Sequence, residues 1–312
     1  MRDHSTEPLC LTAAALFLGL VIVSAATGQQ PAAPQPSATR VVLLGTGTPG
    51  ADPNRWGPAT AVVVNDVAYL VDAGAGIVRR AAAAALDRNI KTLQVTNLRF
   101  VFLTHLHSDH TVGLPDLILS PWTLGRRVPL EAYGPTGLKA MAEQLRAAYR
   151  VDIETRTNPE GNQRDFPEGH KVNAHEVKAG VVYKDANVTV TAFPTQHAME
   201  SYGYRFDTPD RSVVISGDTS PTQATIDACR GCDVLIHEVT SLAWLEKRPP
   251  MFRAFAAKYH TTTAQLGDLA GRAKPRLLIL YHVQAFSADE VFREIIERYT
   301  GHVVVGRDLD VY

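Results

Sequence analysis

The chain has 312 residues, of which 45% are hydrophobic, and its 31 lysines and arginines nearly balance 32 aspartates and glutamates. This composition is typical of a folded chain with a sizeable core and excludes extensive disorder beyond the N-terminus. The near-zero net charge gives no overall field that would attract a polyanion, so bulk charge does not favour nucleic-acid binding.

The N-terminal segment differs in composition from the rest of the chain. Residues 9–26 are an unbroken run of apolar and small residues, which predicts a signal peptide or an N-terminal anchor over residues 1–28. Small side chains at Val23 and Ala25 favour cleavage after Ala25, whereas an uncleaved run of this length is near the lower limit for a membrane span. We therefore expect export, to the periplasm or as a secreted protein, with no stable membrane association after cleavage.

A proline- and alanine-rich linker is predicted at residues 29–39, before one folded domain at residues 40–312. The predicted elements in chain order are strands at 41–44, 60–64 and 67–71, a helix at 76–86, a strand at 98–103, a helix at 112–122, a strand at 128–134, a helix at 138–149, and strands at 187–193, 212–216, 233–237 and 276–282. Residues 151–180 are polar and predicted to be irregular, and a capping box at Ser287 starts the last helix. Near-continuously apolar strands alternating with helices predict an α/β layered fold.

A glycine-rich stretch, GTGTPG at residues 45–50, directly follows the first strand and matches the G-x-G-x-x-G pattern. A dinucleotide site of that kind requires the last glycine to open a helix whose N-terminus holds the pyrophosphate. Here prolines and another strand follow, so the sequence predicts a turn near the mouth of a site.

Two cysteines, Cys229 and Cys232, lie between a predicted helix and the strand that follows it. Thioredoxin-like redox chemistry would need the motif at the start of a helix after a strand. Two partly buried thiols and a structural disulfide are the alternatives that the spacing leaves open.

The stretch THLHSDH at residues 104–110 places four potential metal ligands in six consecutive positions. Residues two apart on an extended chain share a face, so His105 and His107 can bind one ion together. Asp109 and His110 lie past the strand end, where a turn can direct them towards a second ion.

Three more metal-competent residues, His197, Asp218 and His282, each lie at or just beyond the end of an apolar strand. Loops at strand ends are where layered α/β folds build their sites. Seven imidazole and carboxylate ligands suit two borderline-soft ions such as zinc.

Four features follow one another along the chain: HLHSDH, His197, the SGDT stretch with Asp218, and His282. In this order and spacing they resemble the metallo-β-lactamase superfamily, over nearly all of residues 40–312. The resemblance implies an αββα four-layer sandwich with two zinc ions per chain and a shared hydroxide as nucleophile. By position, His105, His107 and His197 would bind the first zinc, Asp109, His110 and His282 the second, and Asp218 would bridge them.

The stretches CDVLIHEVTS and KYHTTTAQLGDLA resemble the HEAT and HST motifs of the ribonuclease Z group. In that group a glutamate orients a histidine that does not bind metal, and the matching residues here are Glu238 and His260. A positioned acid that assists a poor alkoxide leaving group accelerates a reaction by roughly 10²–10⁴. We therefore expect Glu238, His260 and Asp109 to be the catalytic residues.

The chain departs from ribonuclease Z in three respects. Asp52 lies in the first loop, where that group carries basic residues that contact tRNA, and only DTPD stands where bacterial members often carry a long insertion. An exported protein would also meet no precursor tRNA. Phosphate contacts dominate nucleic-acid affinity, so these departures argue against RNA as the substrate.

The first loop and the stretch YLVDAGAGIVRRA instead look like those of exported arylsulfatase-like relatives of ribonuclease Z. This likeness implies a small-molecule sulfate or phosphate ester as substrate and no nucleic-acid partner. Arg55 and Trp56 are candidate substrate contacts or parts of a solvated loop, and Asp72 is expected to shape the floor of the site through hydrogen bonds.

Other functions stay open at this point. One is a lactonase or β-lactamase acting on cyclic acyl substrates, although such β-lactamases generally lack a bridging aspartate. Another is a tRNA 3′-processing endoribonuclease. A non-catalytic metal-binding scaffold is disfavoured by the complete ligand set. A homodimer is compatible with the sequence.

Overall fold

The computed structural model describes residues 38–312, so the predicted signal peptide or anchor and nearly all of the linker lie outside the described residues. The first strand begins at Thr39, the last residue assigned to the linker. Among the residues described, no helix is long and apolar enough to cross a membrane.

Within residues 38–312, the first sheet has six strands in the order β1-β2-β3-β4-β5-β6. They are β1 (Thr39–Gly45), β2 (Ala59–Val64), β3 (Val67–Val71), β4 (Phe100–Phe102), β5 (Leu130–Gly134) and β6 (Val172–Glu176). Neighbours from β1 to β3 are antiparallel, and neighbours from β3 to β6 are parallel. Every residue of β2 is buried, which explains its continuous run of alanine, threonine and valine.

The second sheet, over the same part of the chain, has seven strands in the order β13-β12-β11-β10-β9-β8-β7. They are β7 (Gly180–Lys184), β8 (Thr189–Pro194), β9 (Tyr202–Asp207), β10 (Ser212–Ile215), β11 (Val234–Thr240), β12 (Leu277–Gln284) and β13 (Val303–Val305). Strands β7 to β10 pair antiparallel and β10 to β13 pair parallel. The parallel half brings the carboxyl ends of several strands to one edge.

Helices cover the outer face of each sheet. The helices of the first half are α1 (Ile77–Asp87), α2 (Ser108–Thr111), α3 (Leu114–Thr123), α4 (Leu138–Ala148) and α5 (Arg150–Thr157). Those of the second half are α6 (Gln223–Cys229), α7 (Leu242–Glu246), α8 (Pro250–Tyr259), α9 (Thr263–Ala273) and α10 (Ala288–Ile296).

Three apolar clusters lie between these layers. One fills the space between the two sheets and includes Val62 and Phe102 from the first sheet and Tyr204 and Ile236 from the second. A second cluster joins the first sheet to α1, α3 and α4, and a third joins the second sheet to α6, α9 and α10. The layers follow the order helix, sheet, sheet, helix, which confirms the predicted αββα sandwich.

The segment predicted to be irregular, residues 151–180, instead contains most of α5, all of β6 and the first residue of β7. The pattern was too weak to show these elements, because α5 buries only Ile153 and no residue of β6 is fully buried. Strands β7, β9 and β13 were also missed; no residue of β7 is fully buried, and β13 has only three residues.

The glycine-rich loop after β1 is a turn, as predicted, and the next regular element is β2. A Cβ on Gly45 would clash with the carbonyl oxygen of Gly57, and Gly47 N donates to Trp56 O at 2.7 Å. The glycines therefore allow two backbone segments to touch and do not cradle a nucleotide.

Cys229 and Cys232 form a disulfide that joins the end of α6 to the segment before β11. Both residues are buried in the cluster under α6 and α9. Of the two alternatives that the sequence left open, the structure has the disulfide.

Candidate metal centre

The seven predicted ligands converge at one edge of the sandwich, at or beyond the ends of β4, β8, β10 and β12. They form three overlapping groups whose ligand atoms lie within 4.8 Å of one another: His105, His107 and His197; His105, His110 and Asp218; and Asp109, His110 and His282. The strand ends therefore bring together residues that are as much as 177 positions apart in the sequence.

The first group contains three histidines. His107 Nδ1 lies 3.0 Å from His105 Nε2 and 3.1 Å from His197 Nε2. Burial lowers the pKa of His197 to about 4 and holds the pKa of His105 well below its ordinary value. Both imidazoles are therefore neutral at pH 7, which is the form that binds a metal ion.

The second group combines a carboxylate with two histidines. Asp109 Oδ2 lies 3.2 Å from His282 Nε2 and 3.5 Å from His110 Nε2. Asp218 Oδ1 is 3.4 Å from His110 Nε2 and 3.6 Å from His282 Nδ1. Burial alone would raise the pKa of Asp218, but His282 and His110 outweigh burial and hold that pKa well below its ordinary value. Asp218 is thus an ionised carboxylate between the two groups.

Three buried polar atoms in this cluster have no hydrogen-bond partner among the described residues: His110 Nε2, Asp218 Oδ1 and His282 Nδ1. Buried polar atoms in folded proteins are nearly always paired, because each unpaired one costs desolvation free energy. A cation bound among them would pair all three. The residues present therefore fit a metal, and their imidazole and carboxylate donors suit zinc.

Asp72 fixes the orientation of His110 from behind. Its carboxylate accepts hydrogen bonds from Thr104 N at 2.8 Å, from Thr104 Oγ1 at 2.9 Å and from His110 Nδ1 at 2.8 Å. With Nδ1–H held by Asp72, Nε2 of His110 is the nitrogen that faces the other ligands. Asp72 itself adopts φ 61°, an uncommon conformation for a residue other than glycine.

His282 occupies a β-bulge. In the ladder between β11 and β12, Tyr281 pairs with Glu238 and Val283 pairs with Val239, so His282 is an extra residue between them. Its φ of 45° lies in the left-handed region. A bulge at a sheet end re-aims one side chain, and here that side chain is a metal ligand.

Glu238 and His260 form a buried pair beside the cluster. Both carboxylate oxygens of Glu238 lie 3.0 Å from His260 Nδ1, and Glu238 also accepts a hydrogen bond from Thr219 N at 2.8 Å. Burial lowers the pKa of His260, but the charge and hydrogen bond of Glu238 outweigh it and raise that pKa to about 9. His260 is therefore protonated at neutral pH, with Nε2 left to act as an acid.

Arg55 lines the cleft in front of the cluster and Trp56 lines a neighbouring cleft, but both make contacts within the protein. The Arg55 guanidinium donates to Thr46 Oγ1 at 3.4 Å, to the carbonyl oxygen of Thr46 and to that of Val283 at 3.1 Å. The Trp56 ring packs on Gly76. Arg55 thus braces the first loop against the residue that follows His282, and its contact with substrate stays a prediction.

The sequence did not reveal the aromatic side of the cleft. The cleft has a volume of about 680 Å³, and Trp244, Phe252 and Phe255 line it together with His260. The three-residue spacing of Phe252 and Phe255 on a helix was the available signal, because it places both rings on one face. Helical spacing of this kind is also common in a protein core, so the pattern alone could not separate the two.

Residues 68–283 match the family described as Beta-lactamase superfamily domain. The chain is 36% identical over 247 residues to a ribonuclease Z of Mycobacterium sp. (strain KMS), which covers 78% of this chain and 83% of that protein. It is also 31% identical over 278 residues to the ribonuclease Z of Mycobacterium bovis (strain BCG / Pasteur 1173P2), over 86% of this chain and 96% of that protein. The chain belongs to the metallo-β-lactamase superfamily, in its ribonuclease Z-like branch.

Solved structures support the fold of this superfamily member. A metallo-beta-lactamase fold protein from Bacillus subtilis aligns with TM-score 0.67 at 19% identity, over 88% of this chain and 100% of that one. The short form of human tRNase Z aligns with TM-score 0.64 at 22% identity, over 88% of this chain and 98% of that one. As predicted, the superfamily member is a metal-dependent hydrolase of ester bonds.

The relatives contradict the predicted partners. Ribonuclease Z acts, by its name, on RNA, which conflicts with a small-molecule ester substrate and the absence of a nucleic-acid partner. The prediction failed because a net charge of −1 describes the whole surface, whereas RNA cleavage depends on the few groups that face the scissile phosphate. The arylsulfatase-like assignment and export stay predictions from the sequence.

Proposed function

We propose that this protein is a ribonuclease Z-type phosphodiesterase that binds two zinc ions and cleaves RNA with an unpaired 3′ extension, such as precursor tRNA. The observation that carries the proposal is the Glu238–His260 pair beside the ligand cluster, in a chain that spans 83% of a ribonuclease Z relative. A protonated acid at this place suits a poor alkoxide leaving group, and the 3′-oxygen of a ribonucleoside is such a group.

Zinc held by the seven histidine and aspartate ligands would lower the pKa of a water molecule towards neutrality and offset the negative charge of the phosphate. His105, His107 and His197 contribute neutral imidazoles on one side of the centre. Asp72 keeps Nε2 of His110 directed at the centre by holding its Nδ1–H. These contacts fix the ligand geometry before substrate binds, which reduces the reorganisation needed during the reaction.

The proposed reaction balances in one displacement. The oxygen of water bonds to phosphorus and the water releases one proton to solvent, the bond between phosphorus and O3′ breaks, and the proton on His260 Nε2 passes to O3′. His260 then takes up a proton from solvent. Glu238 accepts the hydrogen bond from His260 Nδ1 throughout and so keeps Nε2 directed at the leaving oxygen. The products are an RNA with a 3′-hydroxyl and a trailer with a 5′-phosphate.

Cleavage of precursor tRNA by zinc-loaded protein tests the proposal. We expect one cut at the start of the 3′ trailer, leaving a 3′-hydroxyl, and no cut by the Asp218→Asn variant. A parallel panel contains an aryl sulfate, an aryl phosphodiester, a lactone and a cephalosporin. The proposal would be refuted if the protein hydrolysed an aryl sulfate, a lactone or a cephalosporin but left precursor tRNA uncut.

The predicted export bears directly on the natural RNA. Precursor tRNA is an intracellular substrate, so a mature protein outside the cytoplasm would act on other RNA with the same 3′ geometry. Mass spectrometry of the N-terminus in cell fractions tests this. An N-terminus near Ala26 in the exported fraction would support export, and an intact N-terminus in the cytoplasm would support precursor tRNA.

A further inference from the structure

One side of the cleft is formed by an aromatic wall, which we define as Trp244, Phe252 and Phe255 with Arg248 packed over the Trp244 ring. Trp244 lies in α7, Phe252 and Phe255 lie in α8, and Arg248 lies in the short connection between these helices. The three aromatic rings line the same cleft as the metal ligands. The proposed chemistry gives none of these side chains a role.

The rings form a continuous series that begins at the acid. The Phe255 ring centroid is 5.7 Å from that of His260, Phe252 follows at 6.5 Å from Phe255, and Trp244 follows at 5.7 Å from Phe252. The Arg248 guanidinium carbon lies 4.3 Å from the centroid of the Trp244 ring. An object that rests on the Phe255 end of the wall therefore lies next to His260.

The wall is held at both of its ends. At the start of α7, the carboxylate of Glu294 accepts hydrogen bonds from Leu242 N at 3.0 Å and from Ala243 N at 3.1 Å. At the end of α8, the carbonyl oxygen of Tyr259 accepts a hydrogen bond from His197 Nδ1 at 3.0 Å. The helices that carry the rings are thus tied to α10 on one side and to a metal ligand on the other.

The wall rings are not core residues. Trp244 and Phe252 are only partly buried and 38% of Phe255 is exposed, whereas Leu245 and Ala256 of the same helices are buried. The helices therefore pack through Leu245 and Ala256 and present aromatic faces to the cleft. Apolar rings that face water beside a catalytic acid are suited to bind a flat, apolar face of a ligand.

We infer that the aromatic wall stacks the nucleobase of the nucleoside whose 3′-oxygen is the leaving group. This inference rests on the proposed function, because it identifies that nucleoside by its place next to His260. Unpaired bases of RNA stack on aromatic side chains and on arginine guanidinium planes. The guanidinium of Arg248 lies over the Trp244 ring and carries a positive charge that suits the RNA backbone. Stacking selects an unpaired base of any sequence, since every base has an aromatic face.

A pair of RNA substrates tests the inference. Both are hairpins with a single-stranded 3′ extension, and one has an abasic ribose on the 5′ side of the scissile phosphate. We expect wild-type kcat/KM to be about tenfold to hundredfold higher for the RNA that has the base, which is the range of single base-stacking effects. Phe255→Ala and Trp244→Ala should reduce this ratio towards one, mainly by slowing cleavage of the RNA with the base.

Phe292→Ala is the matched control. Phe292 lies on α10 outside the cleft and is 39% exposed, against 38% for Phe255, so the same truncation removes a similarly exposed ring. The control should keep the wild-type ratio. A wild-type ratio near one, or equal losses of the ratio in Phe255→Ala and Phe292→Ala, would overturn the inference.

A second readout separates this inference from the proposed function. Tryptophan fluorescence of the zinc-loaded protein is titrated with the product RNA, which ends in a 3′-hydroxyl, with or without its terminal base. We expect quenching that requires the base and is lost in Trp244→Phe. If wild type cleaves neither hairpin, the proposed function is refuted, and base-dependent quenching would still support the wall as a base-binding site. Absence of quenching would overturn that site as well.

Discussion

The carboxylate of Asp72 lies 2.8 Å from Nδ1 of His110, and both side chains are almost completely shielded from solvent. The same carboxylate binds the backbone and hydroxyl of Thr104, the residue directly before His105. Thr104 Oγ1 in turn lies 3.0 Å from His105 Nδ1, so one buried carboxylate helps to orient ligands of both metal groups.

Replacement of Asp72 by asparagine is expected to weaken zinc binding by about 10- to 100-fold, as loss of a carboxylate behind a metal-binding histidine typically does. Asparagine tolerates the left-handed backbone of residue 72, so the effect isolates the lost charge and acceptor. Competition with a chromogenic chelator measures the affinity. Asp185→Asn, which removes a carboxylate bound by Tyr69 and Tyr183 away from the centre, should keep wild-type affinity.

The pH dependence of cleavage depends on the pair of Glu238 and His260. The pKa of His260 is raised to about 9, so the protonated acid is present below that pH and is lost as the pH rises through it. Glu238→Gln lacks the negative charge that raises the pKa of His260. The alkaline limb of the kcat/KM profile should therefore move towards pH 6.5 or below. An unchanged alkaline limb would contradict the assignment of His260 as the acid.

Removal of the acid itself gives a complementary prediction. His260→Ala should reduce cleavage of ordinary RNA by roughly 10²–10⁴. An RNA whose scissile oxygen is replaced by sulfur has a leaving group that needs no proton, and its cleavage should fall far less. Equal losses on the two substrates would show that His260 acts on binding or on the metal ligands instead.

Arg55 is expected to act on the metal centre through His282. Lysine at this position keeps the charge but cannot span the carbonyl oxygens of Thr46 and Val283, so Arg55→Lys should lower kcat by about tenfold while KM stays close to wild type. Steady-state kinetics with one RNA substrate measure both constants. Arg79→Lys, at an exposed arginine of α1, serves as the control. A rise in KM with unchanged kcat would instead indicate direct contact with substrate.

Arg126 is a buried arginine that the sequence did not single out. Its guanidinium donates to the carbonyl oxygens of Leu98, Leu117, Ile118 and Gly169 at 2.7–3.0 Å. Arg126→Met leaves these acceptors without their donor and should lower the free energy of unfolding by about 3–5 kcal/mol in urea titration. Arg127→Met is the neighbouring control, because Arg127 is exposed and its guanidinium lies over the ring of Phe166. A loss for Arg126→Met no larger than the control's would show that these bonds contribute little net stability.

The sequence predicted the layers and the ligand set because both depend on short-range patterns. Polar ligands directly follow a buried strand such as β4. The alternation of side chains along an extended chain is enough to place His105 and His107 on the same face. Contacts that depend on packing between distant segments leave no such pattern. The hydrogen bond from Arg55 to Val283 and the aromatic wall that contains Phe255 depend on such packing, so the sequence did not predict them.

The choice of partner failed for a related reason. Composition averages over the surface, while the groups that face a substrate are few and are brought together only by the fold. Export and the roles of residues 1–37 depend on a segment outside the described residues, so the sequence remains their basis.

The bulge at His282 links the regularity of a sheet to the presence of a metal ligand. Deletion of residue 282 would place Tyr281 and Val283 opposite consecutive residues of β11 without interruption, giving an unbroken parallel ladder. That better-ordered sheet would lack the side chain that joins Asp109 and Asp218. The chain can therefore have either a regular β-ladder or a complete set of metal ligands at this position. Selection for stability alone would be expected to remove the ligand, and with it the enzyme activity.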